Sequence, residues 1–215
     1  MTVIRKIFGA LLICAALAAA YYGLRVCRYA MDAEPRIEGG EAAATATLDH
    51  FLAALEARDF PGAYGDMYNY ASLGLETAPE DPIARAYWEA QQAAWDFAAV
   101  DGGEMQGTRY DRRVTVRCLD LDAIAAEVGR RVQAILTEKV ENARLRSEVY
   151  DENGNYKEDL AYEALTAATA EVLADTAPYA YTQECGLSLY YVDDRWQVEV
   201  TPDFISALTA GAARG

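Results

Sequence analysis

Histidine occurs once in this chain, at His50, and that scarcity excludes whole classes of chemistry. One imidazole cannot build a histidine-based zinc centre or a Ser-His-Asp site without partners. Cysteine is scarce as well. Of the four, Cys14 and Cys27 lie in or beside the N-terminal apolar stretch, and no two form a CxxC pair. The residues before them, Ile13 and Val26, lack the small side chain that lipoprotein processing requires. No glycine loop of the phosphate-cradling kind and no nucleophile elbow is present. Positive charge is short too, with 19 basic against 34 acidic residues and a net charge of −15. The first 36 residues carry five basic side chains against Asp32 and Glu34, a net +3, so the remainder carries −18. Nucleic acid demands a basic face and is excluded as a partner. The acidity reads as a solubility device.

One long hydrophobic run is present. Ile7 to Leu24 contains no charged residue, with Arg5 and Lys6 before it and Arg25 and Arg28 after it. Eighteen residues lie near the lower limit for crossing a bilayer. Tyr21 and Tyr22 stand where an interfacial aromatic belt would lie. The run continues past its small-residue patch, which favours an uncleaved signal anchor over a secretory peptide cut after Ala20. The expected organisation is an anchor at 1–28, a polar linker at 29–41 and an extracytoplasmic body at 42–215. The bilayer is then a partner through Ile7 to Leu24, and the body is secreted if the segment is cleaved.

The body reads as α+β. Leu48, Phe51, Leu52 and Leu55 form one helical stripe, with Thr47 or Asp49 as its cap. Pro61 suits the first turn of a second helix, whose stripe is Tyr64, Met67, Tyr68 and Ala71. Asp81-Pro82 opens a third, along Ile83, Ala86, Tyr87, Ala90, Ala94 and Phe97. Val114, Val116 and Cys118 alternate with Thr115 and Arg117 as a half-buried strand. Asp120 caps a long helix along Ile124, Val128, Val132, Ile135, Leu136 and Val140. Polar Asp151 to Asn155 breaks it, and a further helix runs from about Glu158 to Asp175. Near the end, Leu187, Leu189 and Tyr191, then Trp196, Val198 and Val200, alternate about a tight Asp193-Asp194 turn. Thr201-Pro202-Asp203 starts a last helix, which Gly211 ends.

The stretches FLAALEARDFPGAY, VTVRCLDL and LSLYYVDDRWQVEVTPDFISALTAG resemble the nuclear transport factor 2-like (cystatin-like) superfamily, and within it small membrane-anchored bacterial proteins of unknown function. The resemblance implies a cone: N-terminal helices packed into the concave face of a curved antiparallel sheet. The helical stretch 122–176 departs from that pattern as a long insertion and leaves the strand order open. Enzymes of the superfamily use the mouth of the cone, where tyrosine and carboxylate groups meet in an apolar pocket.

Pocket candidates are therefore Tyr64, Tyr68, Trp88, Trp95 and Trp196. Cys118 and Cys185 are either a disulfide, if their strands are neighbours, or buried thiols. His50 reads as a structural or surface residue, with an Asp49-His50 acid–base role as the alternative. The 151–155 stretch begins like a calcium loop, but Tyr156 and Tyr162 stand where its glycine and bidentate glutamate belong, so it reads as a turn. No metal and no cofactor is expected. The function these features suggest is a non-enzymatic envelope domain that binds a protein partner or an apolar small ligand. The alternative is a small-molecule enzyme or carrier using the cone.

Overall fold

The computed structural model describes residues 37, 40–100 and 102–209. The apolar run at Ile7 to Leu24 and the closing Gly211 lie outside the described residues. Among the described residues no helix is long and apolar enough to cross a membrane.

Helix α1 spans Gly40–Glu56. Its apolar stripe is buried as the spacing predicts, with Leu48, Phe51 and Leu55 fully enclosed. It begins earlier than a Thr47 or Asp49 cap would allow. The run AAATA has high helix propensity and carries the helix upstream of its stripe. Thr47 instead turns its hydroxyl back to the Ala43 carbonyl at 3.1 Å. Arg58 leaves the helix with a φ of 60°. Asp59 then caps α2, Phe60–Gly65, by accepting from the Gly62 N–H at 3.1 Å.

The expected second stripe does not continue through Tyr68 and Ala71, because α2 stops at Gly65. The chain turns extended there to serve the sheet. Asp66 O accepts from Val198 N at 2.7 Å, and Tyr68 N donates to Val198 O at 2.8 Å. Asn69 adds a side-chain pair to the Val200 backbone, at 2.9 and 3.0 Å. These bonds cover part of an edge that would otherwise stay unpaired.

Asp81 caps α3, Pro82–Ala94, as expected. The helix ends three residues short of Phe97. Trp95 turns extended, and β1, Asp96–Ala99, sets Phe97 opposite Val116. A three-residue β2, Glu104–Gln106, follows, and then β3, Arg109–Leu119. Gly103 lies against the buried Tyr110 ring. A Cβ there would meet the Tyr110 hydroxyl at 2.2 Å, so only glycine fits.

β3 pairs along its whole length with β4, Ala180–Val192, and β4 with β5, Arg195–Glu199. The result is a curled antiparallel sheet in the order β1-β3-β4-β5, with β2 also on β3. Asp193 and Asp194 both have positive φ, 50° and 61°, the backbone a two-residue hairpin turn needs.

The register settles the cysteine question. Cys185 faces Val114, while Cys118 faces Tyr181. Four residues of strand separate the two positions, roughly 13 Å at about 3.3 Å per residue. A disulfide tolerates about 7 Å between α-carbons. The bridge is not formed, and both residues are buried thiols.

The stretch between β3 and β4 is an excursion that leaves and returns at one point, where Asp120 N donates to Tyr179 O at 2.9 Å. It contains α4, Leu121–Asn142, a short α5, Arg146–Val149, and α6, Glu158–Leu173. Asp120 caps α4 through the Ala123 N–H, and the 151–155 stretch is a turn held by Asp151. Ile124, Val128, Ala168 and Val172 join Ala94 and Leu119 in a core between α3 and the excursion. A second core fills the concave face of the sheet. There α1 and the final helix α7, Pro202–Thr209, meet, with Phe51 and Phe204 rings 5.9 Å apart and Phe204 6.1 Å from Phe97. The opposite face is polar, with Arg109 on Asp111 and Arg113 on Glu184.

Candidate functional site

The concave face is filled by these side chains, and a cleft opens elsewhere in the body. A cleft of about 370 Å³ runs between one face of α3, the loop around residues 73–77 and the end of α7. α3 contributes Ala84, Tyr87, Trp88, Gln91 and Gln92, and its C-cap is Trp95; the loop contributes Leu73, Gly74, Leu75 and Thr77. Leu121, Leu208 and Thr209 complete it. The volume falls at the small end of ligand sites, roughly 300–1,000 Å³.

The walls are mostly apolar. Among the described residues that line the cleft, Tyr87 alone can titrate, and burial pushes its phenol above its ordinary value. Two glutamines lie at the back. Gln91 is fully used: its Oε1 accepts from Leu119 N at 3.0 Å, and its Nε2 donates to Ala207 O at 3.2 Å. Gln92 donates from Nε2 to Leu75 O at 3.1 Å. Its Oε1 and the indole Nε1 of Trp95 are both buried with no hydrogen-bond partner among the described residues. An unmet buried group of this kind costs about 1–3 kcal/mol.

Trp88 and Trp95 therefore stand in the cleft. Tyr64 stands behind its loop. The Tyr64 hydroxyl donates to Glu76 Oε2 at 2.7 Å and accepts from Leu75 N at 3.2 Å. Ser72 donates to the other Glu76 oxygen at 2.8 Å. Burial first, then the Glu76 carboxylate, raises the Tyr64 pKa, and the same bond lowers that of Glu76. Tyr64 is a clasp for the loop that walls the cleft. Tyr64→Phe should cost about 0.5–1.5 kcal/mol and speed hydrogen exchange at the Leu75 amide. Unchanged exchange there would refute the clasp.

Tyr68 and Trp196 are placed away from the cleft. Tyr68 is half exposed, with its ring 5.6 Å from that of Tyr190. Trp196 is buried against Tyr191 on the hairpin. His50 pairs with neither Asp49 nor the cleft. Its Nδ1 lies 2.6 Å from Asp66 Oδ2 on the surface. That hydrogen bond, then the Asp66 charge, raises the imidazole pKa above 6.5, with a smaller push from Asp59. A raised folded-state pKa stabilises fully below the unfolded value and loses that contribution as pH climbs through the folded one. The midpoint of His50 followed by NMR should lie above 6.5 and fall in Asp66→Asn. A midpoint indifferent to that change would break the assignment.

The glutamines escape a reading based on apolar spacing. The signal is nevertheless there: Trp88, Gln92 and Trp95 fall at i, i+4 and i+7, one stripe of α3 that mixes indoles with an amide. Among the described residues, no group of three or more His, Cys, Asp or Glu side chains is placed to hold a metal. No family model, curated protein or solved structure matches the chain.

Proposed function

We propose that this chain is a single-pass, membrane-anchored binding protein of the bacterial envelope. Its body lies outside the cytoplasm, and its role is non-enzymatic, the holding of a small apolar ligand in the α3 cleft. The observation that carries the binding reading is the cleft itself, walled by Trp88, Trp95 and Tyr87. Its lining offers no carboxylate, imidazole, amine or thiol among the described residues, and so no general base for acid–base work. The uncharged Ile7 to Leu24 run between arginines supports the anchor. The order of helices, curled antiparallel sheet and closing hairpin supports kinship with the nuclear transport factor 2-like superfamily, with the excursion between β3 and β4 as an elaboration.

The test is uptake of the neutral fluorophore N-phenyl-1-naphthylamine. The folded chain should take it up and brighten it. Ala84→Phe, at the exposed wall of the cleft, should abolish uptake with little change in Tm, because Ala84 lies outside the cores. Equal uptake by the variant would rule the cleft out as the binding site. For location, protease added to intact spheroplasts should digest the body; complete protection would place it inside.

A further inference from the structure

The turn between α5 and α6 sets two tyrosines against each other. Asp151 shapes the turn by accepting from the Asn153 and Asn155 amides on one carboxylate oxygen, both at 2.9 Å. On either side of it, Asp151 N donates to Asn155 O at 2.8 Å and Lys157 N donates to Val149 O at 3.0 Å. Between those two bonds lies an isolated antiparallel bridge, Tyr150 to Tyr156. A pair flanked in this way is the non-hydrogen-bonded kind, with α-carbons about 4.5 Å apart and side chains at their closest. The two rings are accordingly stacked, with centroids 5.1 Å apart and planes 26° from parallel. Tyr150 raises the Tyr156 pKa, through hydrogen bonding between the side chains first, with burial second. That brings the hydroxyl ends of the stack together, and with them the ring carbons ortho to each hydroxyl. Arg146 lies over the Tyr150 ring, 5.4 Å from its centroid, and restrains it. Both tyrosines are only partly buried, so an oxidant in solution reaches them.

The geometry points to Tyr150 and Tyr156 as an oxidative modification site, at which their ortho carbons are joined into a dityrosine staple across the turn. Each phenol gives up one electron and its hydroxyl proton, leaving two tyrosyl radicals. A carbon–carbon bond forms between the ortho positions. Each of those carbons then releases its hydrogen as a proton, the ring regains aromaticity and the phenolic oxygen is reprotonated. The pair has lost two electrons and two protons. Hydrogen peroxide, acting through a haem peroxidase, is the oxidant: it takes up both and leaves as two waters. A second tyrosine pair, Tyr68 and Tyr190, is set differently. Its rings are 5.6 Å apart and tilted by 41°, and the Tyr190 hydroxyl is bonded to Glu199. The staple is independent of the α3 cleft and of any ligand held there.

The experiment treats the full chain with hydrogen peroxide and a haem peroxidase, then digests it with trypsin. Cleavage after Arg146 and Lys157 releases both tyrosines in one peptide, from Ser147 to Lys157. That peptide should lose the mass of two hydrogens, acquire the blue fluorescence of dityrosine and remain unjoined to any other peptide. Hydrogen exchange at the Asp151 and Lys157 amides, which close the bridge on either side, should slow once the link is made. Tyr156→Phe keeps both rings and should abolish the linked peptide; Tyr150→Phe, the second variant, should do the same. Oxidation of the chain unfolded in urea, where the stack is gone, should lower the yield of the linked peptide severalfold. A 147–157 peptide that keeps its mass would overturn the assignment, whether or not Tyr68 and Tyr190 become joined. A yield unchanged by urea would overturn it as well, since the folded geometry would then play no part.

Discussion

Replacing Phe51 with alanine is expected to lower stability by about 3–5 kcal/mol, the range for emptying a large aromatic from a packed core. For a body of this size that is a fall in Tm of roughly 6–20 °C. Phe51 is fully enclosed, 5.9 Å from Phe204, which lies 6.1 Å from Phe97. These rings join α1, α7 and β1 over the concave face of the sheet, so the hole would open where three elements meet. Phe97 in turn contacts Trp95, at 6.2 Å. The variant should therefore also disturb the Trp95 environment. A loss under about 1 kcal/mol in urea unfolding, with an unchanged m value, would mean that the concave face is not the packed core described above.

Trp196→Ala is expected to cost a similar amount, about 3–5 kcal/mol. The ring is 5% exposed and stands directly opposite Tyr191 in the β4–β5 register, in a T-shaped contact with centroids 5.6 Å apart. Such a cross-strand pair ties the last hairpin to its own buried face. The indole Nε1 has no partner among the described residues, so Trp196→Phe forfeits no bond there and should restore most of the loss. Intrinsic fluorescence typical of a water-exposed indole at this position would contradict the placement. So would equal damage from the phenylalanine and alanine variants.

The parts of this fold that could be read in advance are those written in local chemistry. The α1 stripe, the Asp81-Pro82 and Asp120 caps and the Asp193-Asp194 turn each need only neighbours within a few residues. Where tertiary pairing overrides local preference, the pattern misleads. Tyr68 and Ala71 keep a helical spacing, yet Val198 N donates to Asp66 O and Tyr68 N donates to Val198 O, and these bonds tie the chain to β5 at a bridge through Met67. Phe97 continues the α3 stripe by spacing, but strand pairing with Val116 captures it. β2 is three residues long and carries too little pattern to detect. The cleft was half legible. Trp88 and Trp95 were candidates by residue type, whereas the glutamines take their meaning from carbonyls 17 residues before and 116 residues after them in the chain. No local rule reports such partners. Trp196, chosen for the same reason as the other indoles, belongs to the sheet because its strand alternation puts it there.

The central claim, that the opening beside α3 and not the filled face of the sheet is the binding site, is met most directly by a crystal structure of the chain grown with benzyl alcohol. Density for the ring is predicted between the cleft walls formed by Trp88 and Trp95. Density against the concave face beside Phe51 and Leu189, with the α3 cleft occupied by solvent alone, would contradict the claim.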